Sequence, residues 1–410
     1  MTSTRTSLTP PALDTVKELL RGPDPGRTRL ELKLTLVTPM FGGGVVAGEI
    51  DAAQPFRPSG IRGQLRFWWR ATSGAQYSDA TALLQAESEI WGHTDAASPV
   101  RIQVHKPDKE PAIPSIEPKY VFFSIKDKEN AKHLIQGNFQ LHLIYPADFE
   151  KTDEIQWALQ AWLLFGGIGA RTRRGCGTLR WAPELNFLPP LPSTQPNMTE
   201  WIRSNFSGLP GGGTREWPTL KGAKLLIGEP GSTLDVWKKL IATYSAFRQA
   251  RPANRPPGRS YWPEPEAIRK ITGQRLRKHE EFTADPLEFP RALLGLPIIT
   301  HFKDEKAGDP QGTTLKLSDS ERHASPLILK VLPISKTEAV PMALLLNTDI
   351  AQRINGKLML KNYNHHFQTG PYASPLDIRP TARTKPANQR RTLREVLQQH
   401  LGHLGPEVTL

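Results

Sequence analysis

The chain has 410 residues and carries 53 Lys and Arg against 40 Asp and Glu, so its formal net charge is +13. This length predicts two or three domains, and the positive charge indicates a polyanionic partner such as nucleic acid or an anionic membrane face. The single cysteine, Cys176, excludes an intrachain disulfide and a zinc site built from cysteines. No apolar run approaches the ~18–20 residues of a membrane span. We therefore expect a cytoplasmic protein in a reducing compartment, without a secretory signal.

The first half of the chain predicts a domain over residues 29–181, preceded by an N-terminal tail of residues 1–28. Leucines alternate strictly with polar residues from 30 to 36, which predicts a half-buried strand. A helix is predicted from Pro58 to about residue 72, because proline is favoured in the first helical turn. The remaining predicted elements are strands at 100–105, 120–125, 139–145 and 178–181 and a helix at 153–165.

In chain order these elements read β-α-β-(β)-β-α-loop-β. Without the additional strand this is the βαββαβ order of a ferredoxin-like (RRM-like) domain. Residues 182–218 are rich in Pro, Gly and Asn and are predicted to be a linker. Residues 219–410 predict a second ferredoxin-like domain, with strands at 221–227, 325–332 and 339–346, helices at 234–248 and 392–401, and a basic insertion at 248–279. The predicted fold class is α+β, with two tandem ferredoxin-like domains that carry insertions.

One face of the first helix carries four side chains suited to a nucleic-acid backbone, at ~100° per residue: Arg62, Arg66, Arg70 and Trp69. Arginine binds phosphate in a fork geometry, and an exposed tryptophan can stack on an unpaired base. The competing interpretation is an amphipathic helix whose arginines pair with acids such as Glu87 and Glu89. The helix alone favours neither interpretation.

The segment 166–177 contains five glycines, three arginines and no acid. Glycines allow close backbone approach, successive N–H groups can hold an anion, and Arg171, Arg173 and Arg174 add charge. The segment is not a P-loop, because no Gly-Lys-Ser/Thr ends it, and it precedes a strand, whereas a dinucleotide loop follows one. Polymer phosphate is therefore favoured over ATP or NAD. The alternative is a flexible hairpin loop with solvated arginines.

Two further basic stretches occur later in the chain. Residues 248–279 contain nine Lys or Arg against two Glu, with Tyr261 and Trp262 among them. Residues 379–394 contain six Lys or Arg and no acid. Such stretches are either solvated surface or segments that order on a partner.

The sequence contains no recognisable catalytic motif. The sequence has no His-x-x-x-His pair with an intervening Glu, no His-Asp dipeptide and no Gly-x-Ser-x-Gly elbow. Arginines near Cys176 could lower the pKa of its thiol, but no base neighbours it in sequence. His93 is a conceivable base for metal-independent RNA cleavage, although a structural histidine is favoured. We expect no catalytic residue, no metal site and no cofactor.

The first half contains three motifs that resemble a known family: LVTPMFGGG at 36–44, RPSGIRGQLRFWWR at 57–70 and AESEIWG at 86–92. Two motifs extend the resemblance into the second half: RALLGLPI at 291–298 and ERHASPLILK at 321–330. The family is that of the first subunit of the Cmr complex, the type III-B CRISPR effector, within the RAMP (repeat-associated mysterious protein) superfamily. Residues 166–177 resemble the glycine-rich loop of that superfamily.

The resemblance implies two packed ferredoxin-like domains in a non-catalytic subunit near the 3′ end of the guide RNA. It implies guide RNA, single-stranded target RNA and other RAMP subunits as partners, and no membrane. Two alternatives stay open: a metal-independent endoribonuclease that processes guide RNA precursors, and an architectural subunit whose arginines contact sister subunits. The residues predicted to bind RNA are Arg57, Arg62, Arg66, Trp69, Arg70, Gly166, Gly167, Gly169, Arg171, Arg173, Arg174, Arg291 and Arg322.

Overall fold

The first half of the chain follows the predicted order of strands and helices except for the strand at 120–125, and it adds a twelve-residue helix and several short elements. The structure, a computed structural model, describes residues 12–13, 26–105, 112–123, 125, 130–182, 185–211, 216–249, 262, 264–274, 289–349, 354, 357–361, 367–368, 377–378 and 391–410. The elements of the first half are β1 (Arg27–Leu36), β2 (Met40–Phe41), α1 (Pro58–Ala71), α2 (Ala80–Trp91), β3 (Arg101–His105), α3 (Asn130–His133), β4 (Leu134–Ile135), β5 (Asn138–Pro146), α4 (Thr152–Phe165) and β6 (Leu179–Ala182).

A four-stranded antiparallel sheet organises this half, with the strand order β3-β5-β1-β6. Leu32 lies opposite Leu141, and Leu34 lies opposite Phe139, along the β1–β5 pair. All four side chains are buried, because alternate residues of a strand point to the same face of the sheet. The alternation in the sequence therefore predicted both strands correctly.

Helix α1 begins at Pro58, where the fixed φ of proline suits the first turn and its missing N–H needs no partner. It packs beside α4 and buries Ile61, Leu65, Trp68 and Trp69. The predicted bounds of this helix are confirmed to within one residue.

The strand predicted at 120–125 is wrong. Successive turns occupy residues 118–123, where the Val121 N–H donates to Pro118 O and the Phe122 N–H donates to Lys119 O, each at 3.0 Å. The adjacent side chains of Val121 and Phe122 are both buried. A strand would place neighbouring side chains on opposite faces, so this burial pattern belongs to a turn anchored by two residues.

In the segment predicted as a linker, 182–218, the described residues 185–211 pack against the rest of the molecule. The segment contains helix α5 (Gln195–Asn205), which buries Met198 and Ile202 in the main hydrophobic core. The proline and glycine content correctly indicated the loops at 185–194 and 206–211, on either side of the helix. It gave no indication of the helix itself.

The second half begins with a strand and a long helix, as predicted. Its elements are β7 (Thr219–Ile227), β8 (Gly231–Ser232), α6 (Thr233–Gln249), α7 (Glu264–Thr272), β9 (Ile298–Thr300), β10 (Thr313–Leu317), β11 (Leu327–Pro333), β12 (Glu338–Asn347), β13 (Leu358–Lys361), β14 (Phe367–Gln368), β15 (Asp377–Ile378), β16 (Arg391–Thr392), α8 (Leu393–Leu401) and β17 (Val408–Thr409).

The main sheet of the second half has the order β11-β12-β7-β17, with β8 paired to β12, and all of these pairs are antiparallel. The sequence predicted β7, β11 and β12 and missed the short β17. A separate antiparallel sheet, β14-β13-β10-β9, was not predicted. Its strands are short and lie in the sequence between the predicted elements.

One continuous hydrophobic core joins the two halves. It contains Leu34 and Trp68 from the first half together with Leu225 and Leu344 from the second. In the described part of the chain, no helix combines the length and apolarity that crossing a bilayer requires.

Candidate functional site

The arginines predicted to form a basic face on α1 are engaged within the chain. Arg66 Nε donates to Glu87 Oε1, and Arg70 Nη1 donates to Glu87 Oε2 at 2.9 Å. Glu87 lies on α2 and its side chain is only 2% exposed, whereas those of Arg66 and Arg70 are 31% and 36% exposed. The acid-pairing interpretation is therefore correct for Glu87. Glu89 pairs with Lys151 instead.

The other two arginines of this region hold loops in place. Arg62 donates to Ser98 Oγ at 2.8 Å and to Val100 O at 3.0 Å, and burial lowers the pKa of its guanidinium. Arg57 donates to Gly43 O, and to Gly44 O at 3.2 Å. These contacts tie the start and the middle of α1 to the segments around it.

Trp69 was predicted to offer an exposed indole for base stacking, and that prediction is wrong. Its side chain is fully buried, and its Nε1–H donates to Glu154 Oε2 of α4 at 2.7 Å. Packing against α4 covers the side of α1 that the helical spacing left open. A base cannot reach this ring without unpacking the two helices.

The glycine-rich loop, residues 166–177, is tightly packed and is not a flexible hairpin. Gly169, Gly175 and Gly177 have positive φ, as does Arg171 at 58°. A Cβ on Gly177 would lie 1.9 Å from Ile168 O, so only glycine fits there. Gly167 is similarly confined, since its Cβ would lie 2.8 Å from Gly177 O.

Two of the loop arginines, Arg173 and Arg174, reach towards the second half and bind neutral groups there. Arg173 donates to Ser325 O and its guanidinium lies 5.0 Å from the Phe67 ring. Arg174 donates to Leu327 O at 3.1 Å and to the Tyr244 hydroxyl at 2.7 Å.

Arg171 extends the other way, towards the turn at 118–123. It donates to Val121 O, and its guanidinium lies 4.2 Å from the Phe41 ring centroid. Burial lowers the pKa of Arg171. The three loop arginines thus share a mode of binding, to carbonyl oxygens and aromatic rings.

Carbonyls and rings orient a guanidinium without cancelling its charge. Burial, and secondly the charge of Arg174, lower the pKa of Arg173 to about 10, so its guanidinium still carries a full charge at neutral pH. On α1, by contrast, the Glu87 carboxylate offsets part of the charge of Arg66 and Arg70. The partners of Arg173 therefore offset its charge less than Glu87 offsets the charges of Arg66 and Arg70.

A cleft of about 190 Å³ opens beside the loop, between α1 and β11. The indole N–H of Trp68 is buried at this site and has no hydrogen-bond partner among the described residues. The cleft joins aromatic surface, amide and hydroxyl groups and one arginine, which are the groups that bind an unpaired nucleotide. Its lining residues are Gln64, Phe67, Trp68, Phe165, Gly166, Thr172, Arg173 and Ile328.

Lys330, on β11, lies directly behind the cleft and was not predicted as a special residue. Its fully buried Nζ donates to Leu163 O and Gly166 O at the end of α4, each at 2.7 Å. These are carbonyls that the helix itself leaves unpaired. Burial holds the pKa of this amine well below its ordinary value. A lysine inside an otherwise apolar strand sequence was the available signal.

The structure argues against Cys176 as a nucleophile and places His93 in an exposed turn. Cys176 is buried, and burial raises the pKa of its thiol, opposite to the shift expected from nearby arginines. His93 lies in a tight turn, with its Nδ1 3.7 Å from Asp95 Oδ2. Among the described residues, no group of three His, Cys, Asp or Glu is arranged to hold a metal.

The remaining predicted RNA-binding residues lie in the second half, apart from the cleft. Arg291 pairs with the buried Glu264, Nε to Oε2 at 3.2 Å, and Arg322 is exposed before β11. Most of the basic stretches at 248–279 and 379–394 falls outside the described residues. The structure therefore separates the thirteen predicted residues into an α1 group, a loop group and two isolated arginines.

Comparison with known proteins agrees with the motifs. Residues 33–180 match the family model of the RAMP superfamily. CRISPR system Cmr subunit Cmr1-2 of Pyrococcus furiosus is 27% identical over 176 residues, which cover 36% of this chain and 91% of that protein. CRISPR system Cmr subunit Cmr1-1 of the same organism is 27% identical over 135 residues, which cover 30% of this chain and 40% of that protein.

A solved structure extends the likeness over most of the molecule. The apo crystal structure of Cmr1 from Pyrococcus furiosus superposes with a TM-score of 0.52 at 17% identity, covering 93% of this chain and 98% of that one. At this identity the superposition shows a shared fold. Residues 33–180 thus match the RAMP superfamily, and the chain is homologous to the Cmr1 subunits of CRISPR Cmr systems.

Proposed function

We propose that this chain is the RNA-binding first subunit of a type III-B CRISPR Cmr ribonucleoprotein. The sequence relationship to Cmr1 subunits supports membership of the complex. A net charge of +13 is suited to a chain that contacts RNA backbone. Guide RNA, single-stranded target RNA and other RAMP subunits are the partners that follow, in the cytoplasm.

The observation that carries the RNA-binding part of this proposal is the cleft beside Arg173. Its guanidinium is oriented by Ser325 O and the Phe67 ring, so it is preorganised and remains charged. Gln64 and Thr172 add hydrogen-bonding groups at the same opening. Charge, hydrogen bonds and aromatic surface together suit a nucleotide whose base is unpaired.

The first test is binding of the full chain to a fluorescein-labelled single-stranded RNA, measured by anisotropy across a series of salt concentrations. We expect little sequence selectivity, since base pairing reads the sequence in RNA-guided complexes. The logarithm of the binding constant should fall linearly with the logarithm of salt concentration, by about 0.7 per phosphate contact. Absence of binding at low salt would refute the proposal.

The subunit is proposed to be non-catalytic. The alternative, a metal-independent endoribonuclease, predicts that the purified chain cleaves a guide RNA precursor in the presence of a chelator. We expect the labelled precursor to stay intact under conditions where anisotropy shows it bound. A discrete cleavage product that scales with the amount of protein would favour the alternative.

We also propose that the subunit lies near the 3′ end of the guide RNA. This position can be tested in a complex reconstituted with the other Cmr subunits and a guide RNA that carries one photoreactive uridine. Crosslinks to this chain should form when the uridine lies in the 3′ segment. Crosslinks mainly from the 5′ segment would contradict the placement.

The proposed architecture is two tandem ferredoxin-like domains. In the first main sheet, β1 lies between β5 and β6, and in the second, β7 lies between β12 and β17. Both orders agree with a βαββαβ unit, with α1 and α4 serving the first and α6 and α8 the second. The sheet of β9, β10, β13 and β14 is then an insertion.

A further inference from the structure

The turn at 118–123 presents aromatic side chains to solvent next to an arginine of the glycine-rich loop. Phe123 is 82% exposed and Tyr120 is 37% exposed, whereas Val121 and Phe122 between them are buried. The buried pair anchors the turn against Phe41 and Trp237. The exposed rings are therefore held by a rigid base.

Arg171 occupies one side of the exposed ring. Its guanidinium carbon lies 5.2 Å from the Phe123 ring centroid and 4.2 Å from that of Phe41, while the same side chain donates to Val121 O. Arg171 is thus fixed between the loop and the turn. With 82% of Phe123 exposed, its ring still offers most of its surface to a second planar group.

The surroundings favour a negatively charged, planar occupant. Lys119 is exposed on the same turn. Burial raises the pKa of the Tyr120 phenol, and Arg248, which lies beside that phenol, opposes the rise. Glu117 is the only acid among the described residues of this segment, 112–123 and 125, and it lies 4.0 Å from Lys238 Nζ. Asp127 and Glu129 follow in the sequence and lie outside the described residues. Cations beside exposed aromatic rings are the composition of single-stranded nucleic-acid binding surfaces.

We infer that Phe123, backed by Arg171, is a stacking platform for an unpaired base of single-stranded RNA. This inference rests on the proposed function and adds a contact site outside the cleft. A stacked base contributes ~1–3 kcal/mol, which corresponds to about a fivefold to 150-fold change in affinity. The contact is uncharged, so it should not alter the dependence of affinity on salt.

The test compares the full-length variants Phe123→Ala and Phe123→Trp for binding to labelled oligouridine. We expect Phe123→Ala to lose at least about fivefold in affinity with an unchanged salt slope, and Phe123→Trp to match or exceed the wild type. Ile299→Ala, at an apolar residue that is 62% exposed on β9, is the matched control and should bind normally. An oligomer of abasic residues should bind the wild type and Phe123→Ala equally.

The outcomes separate this inference from the proposed function. Failure of the wild type to bind oligouridine would refute both. Wild-type binding with an equal affinity for Phe123→Ala would overturn only the stacking platform. A Phe123→Ala chain that binds oligouridine normally but fails to assemble with the other Cmr subunits would also overturn it, because a protein would then be the occupant.

Discussion

Helix α1 and the glycine-rich loop carry the same number of arginines in the predicted site, but they use them differently. On α1, Arg66 and Arg70 converge on the buried carboxylate of Glu87, which joins α1 to α2. In the loop, Arg173 and Arg174 bind carbonyl oxygens, a hydroxyl and aromatic rings. Arginine count alone therefore misjudges where positive potential lies, because the partner of each guanidinium decides how much charge remains.

The glycines of the two regions also differ, in how closely other atoms approach them. Substituting a glycine of the loop should give the largest change in stability. Gly177→Ala combines a positive φ of 63° with a Cβ 1.9 Å from Ile168 O, so it should cost about 3–5 kcal/mol of folding free energy. Gly63→Ala is the matched control on α1, where no atom lies within 4 Å of the added Cβ. It should stabilise the chain by about 0.5–1 kcal/mol. Urea unfolding measures the change in stability of both variants. Equal changes would contradict the difference in packing between the loop and α1.

Neutralising Glu87 tests whether the α1 arginines are structural. Glu87→Gln removes the charge that both arginines share and should destabilise the chain by about 2–3 kcal/mol, since their partial exposure lessens the loss. Glu89→Gln is the control, because Glu89 is 51% exposed, against 2% for Glu87, and its pair with Lys151 should contribute under about 1 kcal/mol. Similar unfolding midpoints for the two variants would show that Glu87 does not hold α1 to α2.

The dependence of stability on pH tests whether Lys330 joins β11 to the end of α4, behind the glycine-rich loop. Burial lowers the pKa of this amine in the folded chain, so the unfolded chain binds more protons below its ordinary pKa of 10.5. Stability of the wild type should therefore rise with pH as the pH approaches that value from below. Lys330→Met should lose this rise and about 1 kcal/mol for each missing hydrogen bond at high pH. An identical pH dependence of stability in the wild type and in Lys330→Met would contradict the assignment of Lys330 as a buried amine that caps the end of α4.

Local periodicity predicted much of the fold. The leucine alternation of β1, the alternation of β5 and the proline start of α1 are local signals, and all three elements form as expected. Helix α2 was missed, although Asp79 caps its start and Gly92 follows its end with positive φ. Both signals were present in the sequence, as a capping residue and a terminal glycine about one helix length apart.

The candidate site was less predictable, because its chemistry depends on contacts between distant segments. The helical spacing of α1 placed Trp69 with the arginines correctly but gave no sign that α4 covers it. The carbonyl partners of Arg173 and Arg174 lie 152 and 153 residues later in the chain, on the approach to β11 and at its start. No periodicity within the loop could indicate that these two guanidiniums bind backbone carbonyls and a hydroxyl.

The most direct test of the contrast between the two regions compares Arg173→Gln with Arg70→Gln in RNA binding across salt concentrations. Both variants lower the net charge by the same amount, so any difference reports position. Arg173→Gln should weaken binding to single-stranded RNA and reduce the salt slope by about 0.7, the value for one phosphate contact. Arg70→Gln should leave the slope unchanged. An equal reduction in both variants, or none in either, would contradict the assignment of RNA binding to the loop.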